Sequence, residues 1–205
     1  MRTLRFCLAL FLAAAMFTPT ETSAQTIIGA KAGINIANVT FSGEGVSASA
    51  DSKTGFVGGA FAQFGIGSPF FIQPEVLYSQ KGTKEDDVSL AADYLEIPVL
   101  FGAAFPLSNS ALKPMVFAGP AVGFVLSCDD DGFDCKDEIK STDFSLVFGA
   151  GLEYALSSVV LFFDGRYNLG LTNVSEVEEV IEEFDISAKN RTWQFMAGVG
   201  FPVGG

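Results

Sequence analysis

The stretch "LFFDGRYNLGL", residues 161–171, places an aspartate and an arginine two positions apart inside a run of aromatic and aliphatic residues. Side chains of a β-strand point alternately to its two faces. The odd-numbered residues therefore form a continuous apolar face, and Asp164, Arg166 and Asn168 share the opposite face. The fold depends on whether the apolar face meets a protein core or lipid.

The same two-residue alternation recurs along the chain. It predicts eight strands, each about as long as a tilted strand must be to cross a membrane. In most of them one face is apolar and the other mixes small residues with an occasional charge. The strand near 113–126 is apolar on both faces, so its facing is not predicted. The strands are predicted near 27–37, 55–65, 71–80, 94–102, 113–126, 143–154, 159–171 and 192–201.

Long and short connections alternate between these strands. Short links fall at 65–69, 106–113 and 155–158, and long polar links are expected near 38–53, 81–92, 128–141 and 172–189. Barrels of the bacterial outer membrane have short periplasmic turns and longer outer loops. The pattern predicts an all-β, eight-stranded antiparallel up-and-down transmembrane β-barrel with both termini in the periplasm. The alternative is a soluble ligand-binding barrel with its apolar face turned inward.

The first residues have a different character from the strands. A basic start, a short apolar run and small residues up to Ala24 predict a secretory signal peptide over 1–24, which leaves a barrel domain over 25–205. A formal net charge of −12 argues against a nucleic-acid partner, because phosphates would be repelled. Lipid of the outer membrane is the expected surrounding.

The inward faces of the predicted strands carry charged residues. Because side chains can fill the interior of an eight-stranded barrel, we expect these charges to form a structural network of ion pairs. A cation or proton path is the alternative. Acids outnumber bases here, which predicts that at least one carboxylate is protonated or holds a cation. The predicted network consists of Lys31, Glu75, Glu96, Glu153, Asp164 and Arg166.

Two predicted loops have distinctive sequences. In "SCDDDGFDCKDE", residues 127–138, Cys128 and Cys135 are expected to form a disulfide outside the cytoplasm. We favour a solvated acidic loop; calcium is the alternative, and its candidate ligands are Asp129, Asp130, Asp131 and Asp134. In the last long loop, apolar residues at helical spacing between 177 and 184 are consistent with a short amphipathic helix that docks over the barrel mouth or binds a partner. A solvated loop whose negative charges repel one another is the alternative. No other metal site and no cofactor are predicted.

Five segments resemble one family when taken in order. They are "GAKAGINIANV" (29–39), "QPEVLYSQKG" (73–82), "YLEIPVLFG" (94–102), "KPMVFAGPAVG" (113–123) and "FFDGRYNLGLTN" (162–173). They resemble the PorT-type outer-membrane β-barrel proteins of Bacteroidetes-like bacteria. The resemblance implies an eight-stranded outer-membrane barrel of a diderm bacterium. It supplies no reaction, although PorT itself is associated with a secretion and gliding system.

These observations rank the function classes. A non-enzymatic barrel that serves a structural or interaction role through its outer loops is favoured, with an extracellular or secretion-system protein as its partner. A small ion or solute pore and a secretion accessory are the alternatives. The chain has no histidine, the usual general base of barrel hydrolases, so no catalytic residue is predicted. Its oligomeric state is not predicted.

Overall fold

The computed structural model describes residues 26–43, 46–49, 52–85, 88–130, 133–135, 140–172 and 187–204. The predicted signal peptide and the predicted amphipathic helix lie outside these residues. The described residues include no helix that is long and apolar enough to span a membrane.

Eight long strands and two short ones make up the described part of the chain. Each long strand pairs antiparallel with the next, and the last pairs back with the first, from Thr26–Val203 to Ser42–Ser187. This closure confirms the predicted eight-stranded antiparallel barrel. The long strands are β1 (Thr26–Gly43), β3 (Lys53–Gly67), β4 (Phe70–Glu85), β5 (Val88–Ala104), β6 (Leu112–Asp130), β8 (Thr142–Ala155), β9 (Val160–Gly170) and β10 (Ser187–Val203); the short ones are β2 (Val46–Ser49) and β7 (Phe133–Asp134).

The strands extend well into the segments predicted as long loops. Strands β4 and β5 stay paired as far as Glu85 and Val88, β1 pairs with β2, and β6 pairs with β7. The predicted loop bounds at 38–53, 81–92 and 128–141 are therefore wrong, and so is the end of the loop predicted at 172–189, because β10 begins at Ser187. The alternation of apolar and polar residues marks only the part of a strand that has one apolar face. Backbone hydrogen bonding between strands continues beyond that part, through residues that are polar on both faces.

The apolar side chains point away from the barrel axis. In β9, Phe163 is 52% exposed, whereas Asp164 and Arg166 are 6% and 1% exposed. The facing of β6, which the sequence left open, places Met115 and Phe117 inside the barrel. Apolar residues outside and charges inside are what lipid requires of a spanning barrel. The arrangement is the reverse of a soluble barrel with an apolar lumen.

The two ends of the barrel differ. At one end, which we call the turn end, lie Thr26, Val203 and the three short connections 68–69, 105–111 and 156–159. At the opposite end, which we call the loop end, lie the extended β1–β2, β4–β5 and β6–β7 hairpins.

A layer of aromatic rings fills the lumen near the turn end. Phe61, Phe71, Phe117 and Phe162, which we call the phenylalanine layer, belong to one buried apolar cluster. The rings of Phe61 and Phe162 meet edge to face with their centroids 4.9 Å apart. Inward glycines make the space for these rings.

Gly149 is the clearest such glycine. A Cβ atom at Gly149 would overlap the ring of Phe117. Gly123 also faces inward, but a Cβ atom there would lie 3.4 Å from its nearest neighbour, an atom of Tyr94, which is an ordinary contact.

We therefore expect Gly149→Ala to lower the free energy of unfolding by about 1–3 kcal/mol, the usual cost of overpacking a filled core. Gly123→Ala, the matched control, should leave it unchanged or raise it slightly, because alanine restricts the unfolded chain. Urea unfolding in detergent, followed by the fluorescence of the single tryptophan, would measure both. Equal effects of the two substitutions would contradict the described packing.

Candidate functional site

Four charged side chains meet at the centre of the lumen. Lys31 of β1 donates to Glu75 of β4 and to Asp164 of β9, with its Nζ 3.0 Å from Oε1 of Glu75 and 3.0 Å from Oδ2 of Asp164. Arg166 of β9 donates from Nη1 to Oε2 of Glu75 at 2.7 Å and from Nη2 to Oδ1 of Asp164 at 2.9 Å. We call these residues the charge quartet. Its two cations and two carboxylates are all buried, and their formal charges cancel.

The quartet crosses the barrel. Going round the closed sheet, four steps separate β4 from β9, so these strands form opposite walls. Arg166 reaches Glu75 with two guanidinium nitrogens, at 2.7 and 3.2 Å. Such a bidentate contact is a strong, charge-assisted one. The quartet therefore ties one wall of the lumen directly to the other.

The quartet also contacts the phenylalanine layer. The ammonium of Lys31 lies 4.9 Å from the ring centroid of Phe61, and the guanidinium carbon of Arg166 lies 5.2 Å from that of Phe117. Both distances suit cation–π contacts. The ion pairs and the aromatic rings are therefore in direct contact inside the lumen.

Towards the turn end, two glutamines connect the quartet with Glu153. Gln73 donates to Oε1 of Glu75 at 2.6 Å. Gln63 donates both to Oε1 of Gln73, at 3.2 Å, and to Oε1 of Glu153, at 2.8 Å. Strands β3 and β8 are also opposite walls, so the Gln63–Glu153 contact is a second tie across the lumen. Glu153 therefore reaches the quartet only through amides.

Towards the loop end lies a second group of charges. Lys81 forms an ion pair with Glu96, and the amide of Gln194 donates to Oε2 of Glu96 at 3.1 Å. Because β5 and β10 are opposite walls, this is a third tie. Asn190 donates to Oδ2 of Asp143 at 2.9 Å.

The structure thus divides the six charged residues named from the sequence. Four form the quartet, Glu96 belongs to the loop-end group, and Glu153 stands near the turn end. Sequence reasoning missed Lys81, because it was assigned to a loop; continuing the alternation by one step from Ser79 would have placed it inside. Asp143 lies on the predicted inward face of its strand, but the predicted network does not include it.

The predicted acidic loop is described in part. Cys128 and Cys135 are joined by a disulfide, and both are buried. The side chain of Asp129 is described, but Asp131 and the side chains of Asp130 and Asp134 are outside the described residues. Within the described part of the chain, no group of three or more cysteine or acidic side chains is arranged to hold a metal ion. Calcium binding here stays a prediction.

Chemically, the lumen is suited to tying strands together. The described inward carboxylates of Glu75, Glu96, Asp143, Glu153 and Asp164 each accept a hydrogen bond or ion pair from a neighbour. Three cross-wall contacts and the phenylalanine layer lie within the described lumen.

Comparisons with known proteins agree with this architecture. The crystal structure of Neisserial surface protein A superposes with a TM-score of 0.55 at 21% identity, covering 86% of this chain and 96% of that one. The outer membrane protein OprG from Pseudomonas aeruginosa gives a TM-score of 0.55 at 13% identity, covering 89% and 97%. At these identities the likeness concerns the fold. No curated protein matches the sequence significantly.

A family model covers most of the chain. The model of the outer membrane protein beta-barrel domain matches residues 23–176. Its match agrees with the closed barrel, the apolar outer surface and the charged lumen, and it locates the protein in the outer membrane of a bacterium. The chain belongs to the outer membrane protein beta-barrel domain family.

Proposed function

We propose that the protein is a non-enzymatic outer-membrane barrel with a sealed lumen, whose structural or interaction role is exerted through its loop end. The observation that carries this proposal is the filling of the lumen by the charge quartet and the phenylalanine layer. An eight-stranded barrel has room for side chains or for one small ligand, and here side chains take that room.

The absence of histidine from the sequence supports a non-enzymatic role. The carboxylates of Glu75, Glu153 and Asp164 are also engaged with neighbouring donors, which leaves them poorly suited to act as general bases. A partner at the loop end would be an extracellular protein or a component of a secretion system.

A relationship to PorT-type proteins is a finer proposal. The five resembling segments fall on β1, β4, β5, β6 and β9, and they include all four quartet residues. If the protein is a secretion accessory, its deletion in the native bacterium should abolish export of secreted proteins. Normal export in the deletion strain would contradict the role as a secretion accessory and favour the structural role.

A cation pore is the second candidate. It is favoured by the buried charges of the described lumen, where the carboxylates of Glu75, Glu96, Asp143, Glu153 and Asp164 outnumber the cations Lys31, Lys81 and Arg166. The two candidates differ in what they allow through the barrel.

We expect the purified protein to give no steady conductance in planar lipid bilayers, because ion pairs and rings close the lumen. A steady cation-selective current that changes in Glu75→Gln would instead support the pore. Asp93→Asn is the matched control, since Asp93 bonds Ser127 on the exterior and its loss should not alter a current through the lumen.

The orientation of the barrel is part of the proposal. We propose that the turn end, with both termini, faces the periplasm, and that the loop end faces outward. The support is the contrast between three short connections at one end and extended hairpins at the other.

Two exposed serines test this orientation. Ser52 lies at the loop end beside β3, and Ser157 lies in the turn after β8. On intact cells, a membrane-impermeant maleimide should label Ser52→Cys, whereas Ser157→Cys should be labelled only after the outer membrane is permeabilised. The opposite pattern would invert the proposed topology.

A further inference from the structure

Five buried side-chain atoms have no hydrogen-bond partner among the described residues, and all five are oxygens. Each belongs to a residue that is at most 4% exposed and faces the lumen. Buried polar atoms in native proteins nearly always have a partner, so a group of five requires an explanation. They are Asn35 Oδ1, Asp143 Oδ1, Asn168 Oδ1, Thr192 Oγ1 and Gln194 Oε1.

Strand pairing brings four of these side chains together. Thr192 of β10 pairs with Asn168 of β9, and Gln194 of β10 pairs with Asn35 of β1. Side chains directly opposite each other in antiparallel strands have Cβ atoms about 5 Å apart. Thr192 and Gln194 are two residues apart on the same face of β10. The four side chains therefore start from one patch of the lumen wall, and we call their four oxygens the oxygen patch.

The amide orientations of Asn35 and Gln194 are fixed by the hydrogen bonds of their nitrogens. Asn35 donates from Nδ2 to Oγ of Ser79 at 2.7 Å and to the carbonyl of Gln80 at 2.9 Å. Gln194 donates from Nε2 to a carboxylate oxygen of Glu96. Turning either amide round would set an oxygen against another acceptor. The oxygens of Asn35 and Gln194 are therefore acceptors that receive no hydrogen bond from the described residues.

The charge beside the patch is negative. The quartet is formally neutral, and at the loop end the described lumen places one cation, Lys81, with two carboxylates, Glu96 and Asp143. Asn190, two residues before Thr192 on β10, holds Asp143 through one carboxylate oxygen and leaves the other unpaired. One positive charge would balance this group.

We propose that the oxygen patch binds one monovalent alkali cation, sodium or potassium, whose charge is balanced by Asp143. Amide carbonyl and hydroxyl oxygens can replace the hydration shell of such an ion, as backbone carbonyls do in potassium-selective filters. A calcium site would call for more carboxylate ligands than this wall of the lumen offers. The inference does not depend on the proposed role of the loop end, because a bound ion is compatible with a sealed lumen.

Crystals of the full barrel soaked in thallium(I), a scatterer that replaces potassium, would test the site directly. An anomalous peak in contact with Thr192 Oγ1 and Gln194 Oε1, absent from Thr192→Val crystals, is the expected result. Thr192→Val removes the oxygen but keeps the side-chain shape. Electron density for water at these oxygens, with no anomalous peak, would overturn the proposal.

A solution measurement serves if crystals do not form. The urea midpoint of unfolding should be higher in sodium or potassium chloride than in choline chloride at equal ionic strength, because an ion that binds only the folded state stabilises it. That difference should vanish in Thr192→Val and persist in Thr54→Val, a control at an exposed position of β3. Equal midpoints of the unmodified protein in all three salts would rule the site out.

Discussion

The structure depends on charges that meet across the barrel lumen. A guanidinium, an ammonium and two carboxylates are buried between the walls, and each would be costly to bury without its partners. Arg166 and Glu75 come from strands on opposite sides of the closed sheet, so their contact forms only when the sheet has curled and closed. The charge quartet therefore links the closure of the barrel to the neutralisation of its interior.

The rest of the lumen is arranged around that link. Towards the turn end, rings of the phenylalanine layer pack against inward glycines. Lys31 and Arg166 each lie over the face of one of these rings. On either side, Gln63 reaches Glu153 and Gln194 reaches Glu96, again across the barrel. Contacts at three levels thus cross the described lumen.

Much of this architecture follows from the two-residue period of the sequence. In β9 this period places Asp164 and Arg166 on one face and Phe163 on the other, because one face of the strand is apolar along its whole length. The period does not predict which face of β6 points inward, because both faces are apolar. It also does not place Lys81 on a strand, because Lys81 lies beyond the end of the apolar face, where backbone pairing still continues. Nor could it show that Arg166 meets Glu75, because partners across the lumen depend on the stagger of all eight strands.

The central claim is that Arg166 and Glu75 stabilise the barrel together, across its lumen. A double-mutant cycle with Arg166→Met, Glu75→Gln and the double variant, followed by urea unfolding, measures this coupling directly. The exterior pair Asp93 and Ser127 supplies a reference cycle, in which little coupling is expected. The account predicts a coupling free energy of about 1 kcal/mol or more between Arg166 and Glu75. Effects that add to within about 0.5 kcal/mol would contradict it.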